Sequence, residues 1–414
     1  MTELATGISV DEAVAAILSL GAAYRMPVER VPLHEAHGRY LAVDVSALID
    51  LPPFANSAMD GFAVCAADVA ATGHTRLRIA GTRFAGDTAP ARIVSGECLR
   101  ITTGAPLPDG ADAVVIKERV SVEDDTLVVP AGVIAGANVR RAGEDYARGE
   151  RALSAGERLG AGRLGVLASL GLAEVEVAVR PRVAVLATGD ELVAAGAPLG
   201  HGQIHNSNGY SLAALALAGG AVNIDTTPPF RHVRDDADGL REALLVACAR
   251  ADVVITSGGV SAGERDLLPD LLAELGHVHF WKVRMRPGMP VLCGSIDGCV
   301  LLGLPGNPVS GIATFLAFVQ PLLRAMQGAN DAVPPRLHAR LGAAIGKRHD
   351  RTEFLRARLE SRADGSLWVH ALARQGSGML RGIVDADALL VMPESAHELA
   401  AESVVEVIPL PTGY

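Results

Sequence analysis

The sequence predicts a multidomain α/β protein, and three observations carry that expectation. The chain has 414 residues, where about 150 make a typical domain, so two to four domains are expected. Residues 181–328 alternate buried-strand runs with helix-length stretches, the rhythm of a mostly parallel sheet covered by helices. The segments on either side instead carry short apolar runs broken by Gly, Pro and Asp clusters, which reads as β-rich structure. The expected architecture is a central three-layer α/β domain with a mostly parallel sheet, a β-rich inserted domain, a helical and extended linking domain, and a small C-terminal β-barrel. The boundaries fall at 1–45 with 144–180 (linking), 46–143 (β-rich), 181–328 (α/β) and 329–414 (barrel).

Each element has a local reason. Ser9-Val10-Asp11-Glu12 forms a capping box, and Val10, Val14, Ile17 and Leu18 then share one helical face. In the β-rich segment the runs are LRIAG (77–81), CLRIT (98–102), AVVIKERV (113–120) and TLVVP (126–130). Gly160, Gly162 and Gly165 spell the dinucleotide fingerprint, but the preceding LSAGERL is too polar for the buried strand that fingerprint needs. AGRLGVLASLG is therefore read as a packed helix whose glycines allow close helix approach. In the central segment, strands are expected at 182–188, 221–227, 251–257 and 277–283, and helices at 208–220, 234–250, 265–276 and 307–328. PVLCGSIDGCVLLG (290–303) reads as a hairpin turning at Asp297-Gly298. After Pro334-Pro335, five short runs from RLHARLGAAI to SVVEVIPL predict the barrel.

Composition narrows the function. Hydrophobic residues are 49% of the chain, too many for a disordered protein. A formal net charge of -10 argues against a broad nucleic-acid face. The five cysteines form no C-x-x-C pair, so neither zinc nor a disulfide framework is expected, and a reducing, cytoplasmic setting suits them. The start MTELATGISVDEA lacks the pattern of a signal peptide. No uninterrupted run reaches the roughly 18 apolar residues of a membrane span.

The chemistry gathers at three strand ends in the central segment. The loops are Thr188-Gly189-Asp190-Glu191, Ser257-Gly258-Gly259-Val260-Ser261-Ala262-Gly263-Glu264 and Leu304-Pro305-Gly306-Asn307-Pro308. Ligands of open α/β sheets sit beyond the carboxyl ends of strands. Glycines there let backbone N–H groups approach a phosphate. Carboxylates accompany the loops: Asp190, Glu191, Glu264 and Asp266, with Asp235 and Asp236 nearby in sequence. Beside a phosphate such groups hold Mg²⁺ through oxygen ligands, and Glu191 and Asp266 are read that way. Asp235 and Asp236 suit that role and helix N-terminal placement equally. Lys282, Arg284 and Arg286 would share one side of a strand, as an anion site or as a solvated edge. Gly259 to Gly263 also match G-x-S-x-G, the nucleophile elbow of hydrolases, but Ser257-Gly258 separate that motif from its strand.

In these residues the chain resembles the molybdopterin molybdenumtransferase family. The resemblance spans nearly the whole chain through PPFANSAMDGFAV, TGAPLPDGADAVV, RRAGEDYARGE, VLATGDEL, IHNSN, DVVITSGGVSAGERD, GLPGNPVSG, RTEFLRARL and QGSGML. It implies insertion of molybdate into adenylylated molybdopterin, with Mg²⁺-dependent cleavage of the phosphoanhydride and release of AMP. By matching motifs, Asp60 and Thr103 would reach the cleft from the β-rich domain, with Asp145 near them. Glu191, Asp235 and Asp266 would serve metal and hydrolysis. Lys282, Arg286 and Arg351 would bind pterin phosphate, AMP phosphate or molybdate. Ser257 to Ser261 and Pro305 to Pro308 would cradle the pterin, and Ser377 would contribute from the last domain. The resemblance further implies a homodimer, through the linking unit, whose cleft lies between protomers. A molybdopterin adenylyltransferase would be the supplying partner.

The chain departs from that pattern at two positions. The family often has Lys where this sequence has Arg286 and Met289. Arg keeps the charge but prefers planar, bidentate anions, while Met removes a cation. A tungstate-specific relative and a molybdopterin-binding scaffold are the alternatives this leaves. The related adenylyltransferase usually reads T-G-G-T-G where this chain has Ser257-Gly258-Gly259-Val260-Ser261, and it lacks the flanking domains.

Overall fold

The structure is a computed structural model that describes residues 5–224, 232–233, 236–260 and 267–410. It is a multidomain α/β protein. The central sheet runs, edge to edge, through Ala5–Ile8, His277–Val283, Leu292–Ile296, Cys299–Leu304, Val253–Ser257, Arg182–Thr188 and Val222–Asn223. Its neighbours are parallel except around Leu292–Ile296, which is antiparallel to both of its partners. The expected hairpin is present: Asp297 and Gly298 both have positive φ, 45° and 88°, as a tight two-residue turn requires.

Helices cover both faces. Val10–Ala23, Asn208–Ala218 and the long helix Pro308–Met326 lie on one face, around Ile17, Phe280, Phe315 and Phe318. Ala237–Cys248 and Leu268–Leu275 cover the other, around Leu244, Leu272 and Leu301. Pro308–Met326 has the length and mean hydropathy (1.4) of a membrane span, yet 83% of that apolar window is buried inside the protein. Its apolar character is that of a core helix.

The first strand and helix belong to this central layer, whereas the sequence pattern groups them with the linking segment. Ala5 pairs with Phe280, and Ile8 with Val283. Ser9 caps its helix as expected, its hydroxyl accepting from the Glu12 N–H while the Glu12 carboxylate accepts from the Ser9 N–H. That helix then lies hard against Pro308–Met326. A Cβ on Gly21 would come within 2.4 Å of the Ala325 Cβ, so glycine is what permits the approach.

A second core, with Leu41, Leu153, Leu159, Leu167 and Val177, holds the linking segment together. Here the expectation for Gly160, Gly162 and Gly165 is overturned. The helix Ala161–Ser169 forms, but a Cβ on any of the three glycines would meet nothing within 4 Å. Among the described residues of the chain they approach no neighbour closely. The β-rich segment is a six-stranded sheet over Phe62, Leu77, Leu127 and Val129. The C-terminal strands Leu337–Leu341, Thr352–Ser361, Leu367–Ala371, Ala388–Met392 and Val404–Pro409 close into a five-stranded barrel, because Thr352–Ser361 pairs with both Leu367–Ala371 and Ala388–Met392. A two-residue strand, Met285–Arg286, joins this barrel beside Thr352 and Glu353. That pairing fastens the barrel to the α/β unit at the edge of the site.

The start of Arg182–Thr188 is anchored by Asp252. Its carboxylate takes the Arg182 backbone N–H at 2.7 Å and two guanidinium donors at 3.1 and 2.9 Å. Such a charge-assisted set on a partly exposed pair contributes on the order of 1 kcal/mol. Asp252→Ala is accordingly expected to lower stability by about 1–2 kcal/mol, read in urea unfolding. A change of midpoint within error would disprove the anchor.

Candidate active site

The three strand-end loops converge, as the carboxyl edge of a parallel sheet dictates. They line a cleft of about 600 Å³ with Thr188, Glu191, Ser257, Gly258, Gly259, Pro305, Gly306, Asn307 and Pro308 in its wall. The backbones nearly touch: a Cβ on Gly306 would lie 3.7 Å from the Gly258 Cα, and one on Gly258 would lie 2.7 Å from Thr188 Oγ1. Gly258 also has φ +102° and Gly259 φ +68°. Glycine at 258 is thus demanded twice, by the backbone angle and by the neighbouring strand end.

One residue that sequence reasoning passed over ties these loops together. Asn208 Nδ2 donates to Ser257 Oγ and to the Gly306 carbonyl, both at 2.7 Å. Two residues earlier, Asn206 is buried and its Oδ1 accepts from the Gly209 N–H at 2.9 Å, fixing the helix start. Both asparagines line the cleft, with His205 and Ser207. The signal was available in the IHNSN segment, where two amides stand at the start of a helix.

Among the described residues lining this cleft, Glu191 is the one carboxylate. Its carboxylate curls over the preceding turn, within 2.6 Å of where a Gly189 Cβ would sit. Gly189 and Asp190 form that turn and do not line the cleft. Asp235, Ser261 and Asp266 lie outside the described residues. Asp236 is the N-cap of Ala237–Cys248, accepting from the Gly239 N–H at 2.7 Å, so its placement is that of a helix cap. Among the described residues no three His, Cys, Asp or Glu side chains gather as a metal site. A single carboxylate suits Mg²⁺ nonetheless, since that ion is commonly held by one or two carboxylates, substrate phosphates and water.

A second chamber of about 440 Å³ adjoins the first and shares Pro290, Pro305 and Asn307 with it. Its charged lining is Arg286, Arg351 and the Glu353 carboxylate, and Ser377 and Met289 also face it. Arg286 Nε sits 3.4 Å from Glu353, which is buried. Arg351 Nη1 lies 3.9 Å from the Met289 sulfur. The loop carrying Arg351 is pinned by buried Lys347, whose ammonium donates to the carbonyls of Arg351, Pro393 and Glu394. Burial pushes the Lys347 amine below its ordinary value. The loop carrying Ser377 is pinned to the α/β unit, its carbonyl accepting from the Val309 N–H at 3.1 Å.

The expectation that Lys282, Arg284 and Arg286 share one strand face fails. Lys282 has φ +65° and breaks the alternation. Its ammonium stacks 4.1 Å from the centre of the Trp281 ring, outside both chambers. Arg284 is engaged by Glu394 at 2.6 Å and by the Gly7 carbonyl. Only Arg286 of the three enters a chamber.

Asp60 and Thr103 do meet, but on the β-rich unit and apart from either chamber of the same chain. The Asp60 carboxylate accepts from the Thr103 N–H at 2.9 Å and its hydroxyl at 3.0 Å, with Lys117 Nζ at 3.6 Å. The Thr103 donors, followed by Lys117, hold the Asp60 carboxyl below the ordinary aspartate value. Lys117 was missed on sequence because forty residues and more separate it from Asp60. Asp145 is exposed in the turn next to Leu51, its N–H bonded to the Leu51 carbonyl at 2.9 Å, and makes no hydrogen bond to Asp60 or Thr103.

Comparison with known proteins decides the family. Residues 8–171 match the family described as MoeA N-terminal region (domain I and II), 184–325 a probable molybdopterin binding domain, and 338–410 the MoeA C-terminal region (domain IV). The chain belongs to the molybdopterin molybdenumtransferase family. A molybdopterin molybdenumtransferase of Haemophilus influenzae is 36% identical over 92% of this chain and 93% of its own. Molybdopterin molybdenumtransferase 2 of Mycobacterium tuberculosis is 37% identical over 91% and 94%. A crystal structure of the molybdopterin biosynthesis MoeA protein of Pyrococcus horikoshii superposes with a TM-score of 0.83 at 27% identity, covering 98% of this chain and all of that one. This transferase is therefore an enzyme of molybdenum-cofactor biosynthesis, and its two chambers lie where the molybdopterin-binding segment meets the C-terminal barrel.

Proposed function

We propose that this enzyme inserts molybdate into adenylylated molybdopterin and releases AMP. The observation that carries the reading is the pair of adjoining chambers. One is built from glycine-rich strand ends with backbone and amide groups for a pterin and its phosphates. The other holds two arginines suited to an oxyanion. Substrate phosphoanhydride and oxyanion would then lie side by side across Pro305 and Asn307, and the reaction's main demand would be positioning. Glu191, with Asp266, would hold Mg²⁺, which when bound supplies charge neutralisation at the phosphoanhydride.

The isolated position of Asp60, Thr103 and Lys117 supports a homodimer in which one copy presents this carboxylate to the chambers of the other. A molybdopterin adenylyltransferase would supply the substrate. Five free thiols, four of them buried, suit a reducing cytoplasm.

The test is incubation with adenylylated molybdopterin, Mg²⁺ and molybdate, following AMP and reconstitution of an apo-molybdoenzyme, with tungstate as the competing oxyanion. Molybdate-dependent AMP release with reconstitution is expected. Binding without either product would turn the reading toward a scaffold. Glu191→Ala is expected to bind substrate and lose AMP release by about 100-fold. AMP release at the wild-type rate by that variant would remove Glu191 from the reaction.

A further inference from the structure

Arg356 is fully buried in the barrel wall behind the second chamber. A buried guanidinium ordinarily brings a carboxylate with it. Burial pushes the Arg356 guanidinium below its ordinary value, and among the described residues no carboxylate pairs with it. Its donors go to one loop instead. Nε and Nη2 reach the Arg374 carbonyl at 3.2 and 2.7 Å, and Nη2 reaches the Gly376 carbonyl at 3.3 Å. Nη1 has no partner. Gln375 locks the same register from the other side: its Oε1 accepts from the Arg356 N–H at 3.1 Å, and its Nε2 donates to the Arg356 carbonyl at 2.9 Å.

This pattern fixes where the loop's amides point. In a trans peptide plane the carbonyl of one residue and the N–H of the next point in opposite directions. With the carbonyls of Arg374 and Gly376 turned to Arg356, the N–H groups of Gln375 and Ser377 are turned away from it. Gln375, Gly376 and Ser377 line the second chamber, and Arg356 does not. No backbone carbonyl of the described residues takes either N–H. Backbone N–H groups left without a carbonyl acceptor in a chamber wall are donors an anion can use, and this wall belongs to the chamber that holds Arg286 and Arg351.

We infer that Arg356 is a positioning residue that turns the 375–377 loop so that its amides complete the oxyanion chamber. The inference rests on the reading of that chamber given above. Arg356 touches no substrate; it acts by spending its donors on the two carbonyls, and its buried charge adds to the field at a tetrahedral dianion.

The experiment titrates molybdate alone into the full-length wild type, Arg356→Met, Arg356→Lys, Gly382→Ala and Arg351→Ala, by calorimetry. Gly382 lies outside the chamber, but a Cβ there would come within 2.8 Å of Arg356 Nε and 3.0 Å of the Arg374 carbonyl oxygen. Arg356→Met is expected to weaken molybdate binding about tenfold or more, with Arg356→Lys restoring part and Gly382→Ala losing about threefold. Affinity for adenylylated molybdopterin in the first chamber is expected to stay within about twofold. If Arg356→Met does not fold, the Lys and Gly382→Ala variants decide. Folded variants with a lower Tm and unchanged molybdate affinity would overturn the positioning role. Molybdate binding that is absent from the wild type, or indifferent to Arg351→Ala, would overturn the chamber reading and this inference together. Binding lost in Arg351→Ala but kept in every Arg356 and Gly382 variant would overturn the inference alone.

Discussion

Asp60→Ala is expected to leave the chain folded and to cut molybdenum-cofactor formation by about 100-fold. The side chain is exposed, and its hydrogen bonds run to Thr103 at the rim of the β-rich sheet. Its removal costs the core nothing. What disappears is a carboxylate kept ionised by two Thr103 donors and Lys117. Because its value is depressed, Asp60 stays charged down to and below the ordinary aspartate range. An acid limb in the pH–rate profile near pH 5 or 6 would therefore belong to another group. Activity and thermal melting are measured together on the same preparation. A large fall in Tm with full activity per folded molecule would contradict the assignment. Mixing Asp60→Ala with Glu191→Ala chains adds a sharper test, since mixed dimers would carry one intact site if the two surfaces meet between copies. Recovery of activity on mixing is expected.

Gly258→Ala carries the second large effect. At φ +102° an L side chain pays about 1–2 kcal/mol for the backbone angle alone. The new methyl would also sit 2.7 Å from Thr188 Oγ1 and 2.8 Å from the Thr188 carbonyl oxygen, and that carbonyl belongs to a buried central strand. Relief requires the strand ends to part, for a combined cost of about 2–4 kcal/mol. Since those ends form the cleft wall, pterin affinity should fall by about tenfold or more in whatever still folds. Gly306→Ala is the control. Its Cβ would make an ordinary 3.7 Å contact with Gly258, so its melting temperature should match that of the wild type. Equal melting of the two variants would refute the account.

Much of this architecture is legible in the sequence because local rules and tertiary packing agree. The Ser9–Glu12 capping box, the Asp297-Gly298 turn and the three glycine-rich strand ends each follow from residues adjacent in the chain. Where legibility fails, the deciding partner is distant. Ala5–Ile8 is a strand because Phe280 and its neighbours offer an open edge. Lys282 leaves the strand face because of a single positive φ, which Lys does not advertise. Gly160, Gly162 and Gly165 read as close-packing positions, yet among the described residues no neighbour comes near them. In the site, the backbone cradle could be read from glycines and hydroxyls. Asn208 stands in the IHNSN segment, but its partners, 49 and 98 residues away, could not be read from it. Lys117 and Arg356 could not be read at all, since Lys117 acts on a carboxylate more than forty residues away and Arg356 acts by burial that composition does not reveal.

The pairing of Ala5 with Phe280, and of the Val10–Ala23 helix with Pro308–Met326, also sets a timetable. The ribosome makes this strand and helix before their seats, which come some 275 residues later in the chain. At roughly 5–20 residues per second, Val10, Ala13 and Ile17 face solvent for about 15–55 s while the linking and β-rich segments are made. Until then the apolar face of residues 10–23 has no groove to enter, and the long core helix Pro308–Met326 that receives it emerges after it. Shielding of that helix in the interval, by a chaperone or by the nascent chain itself, becomes a condition of yield that the finished enzyme no longer shows.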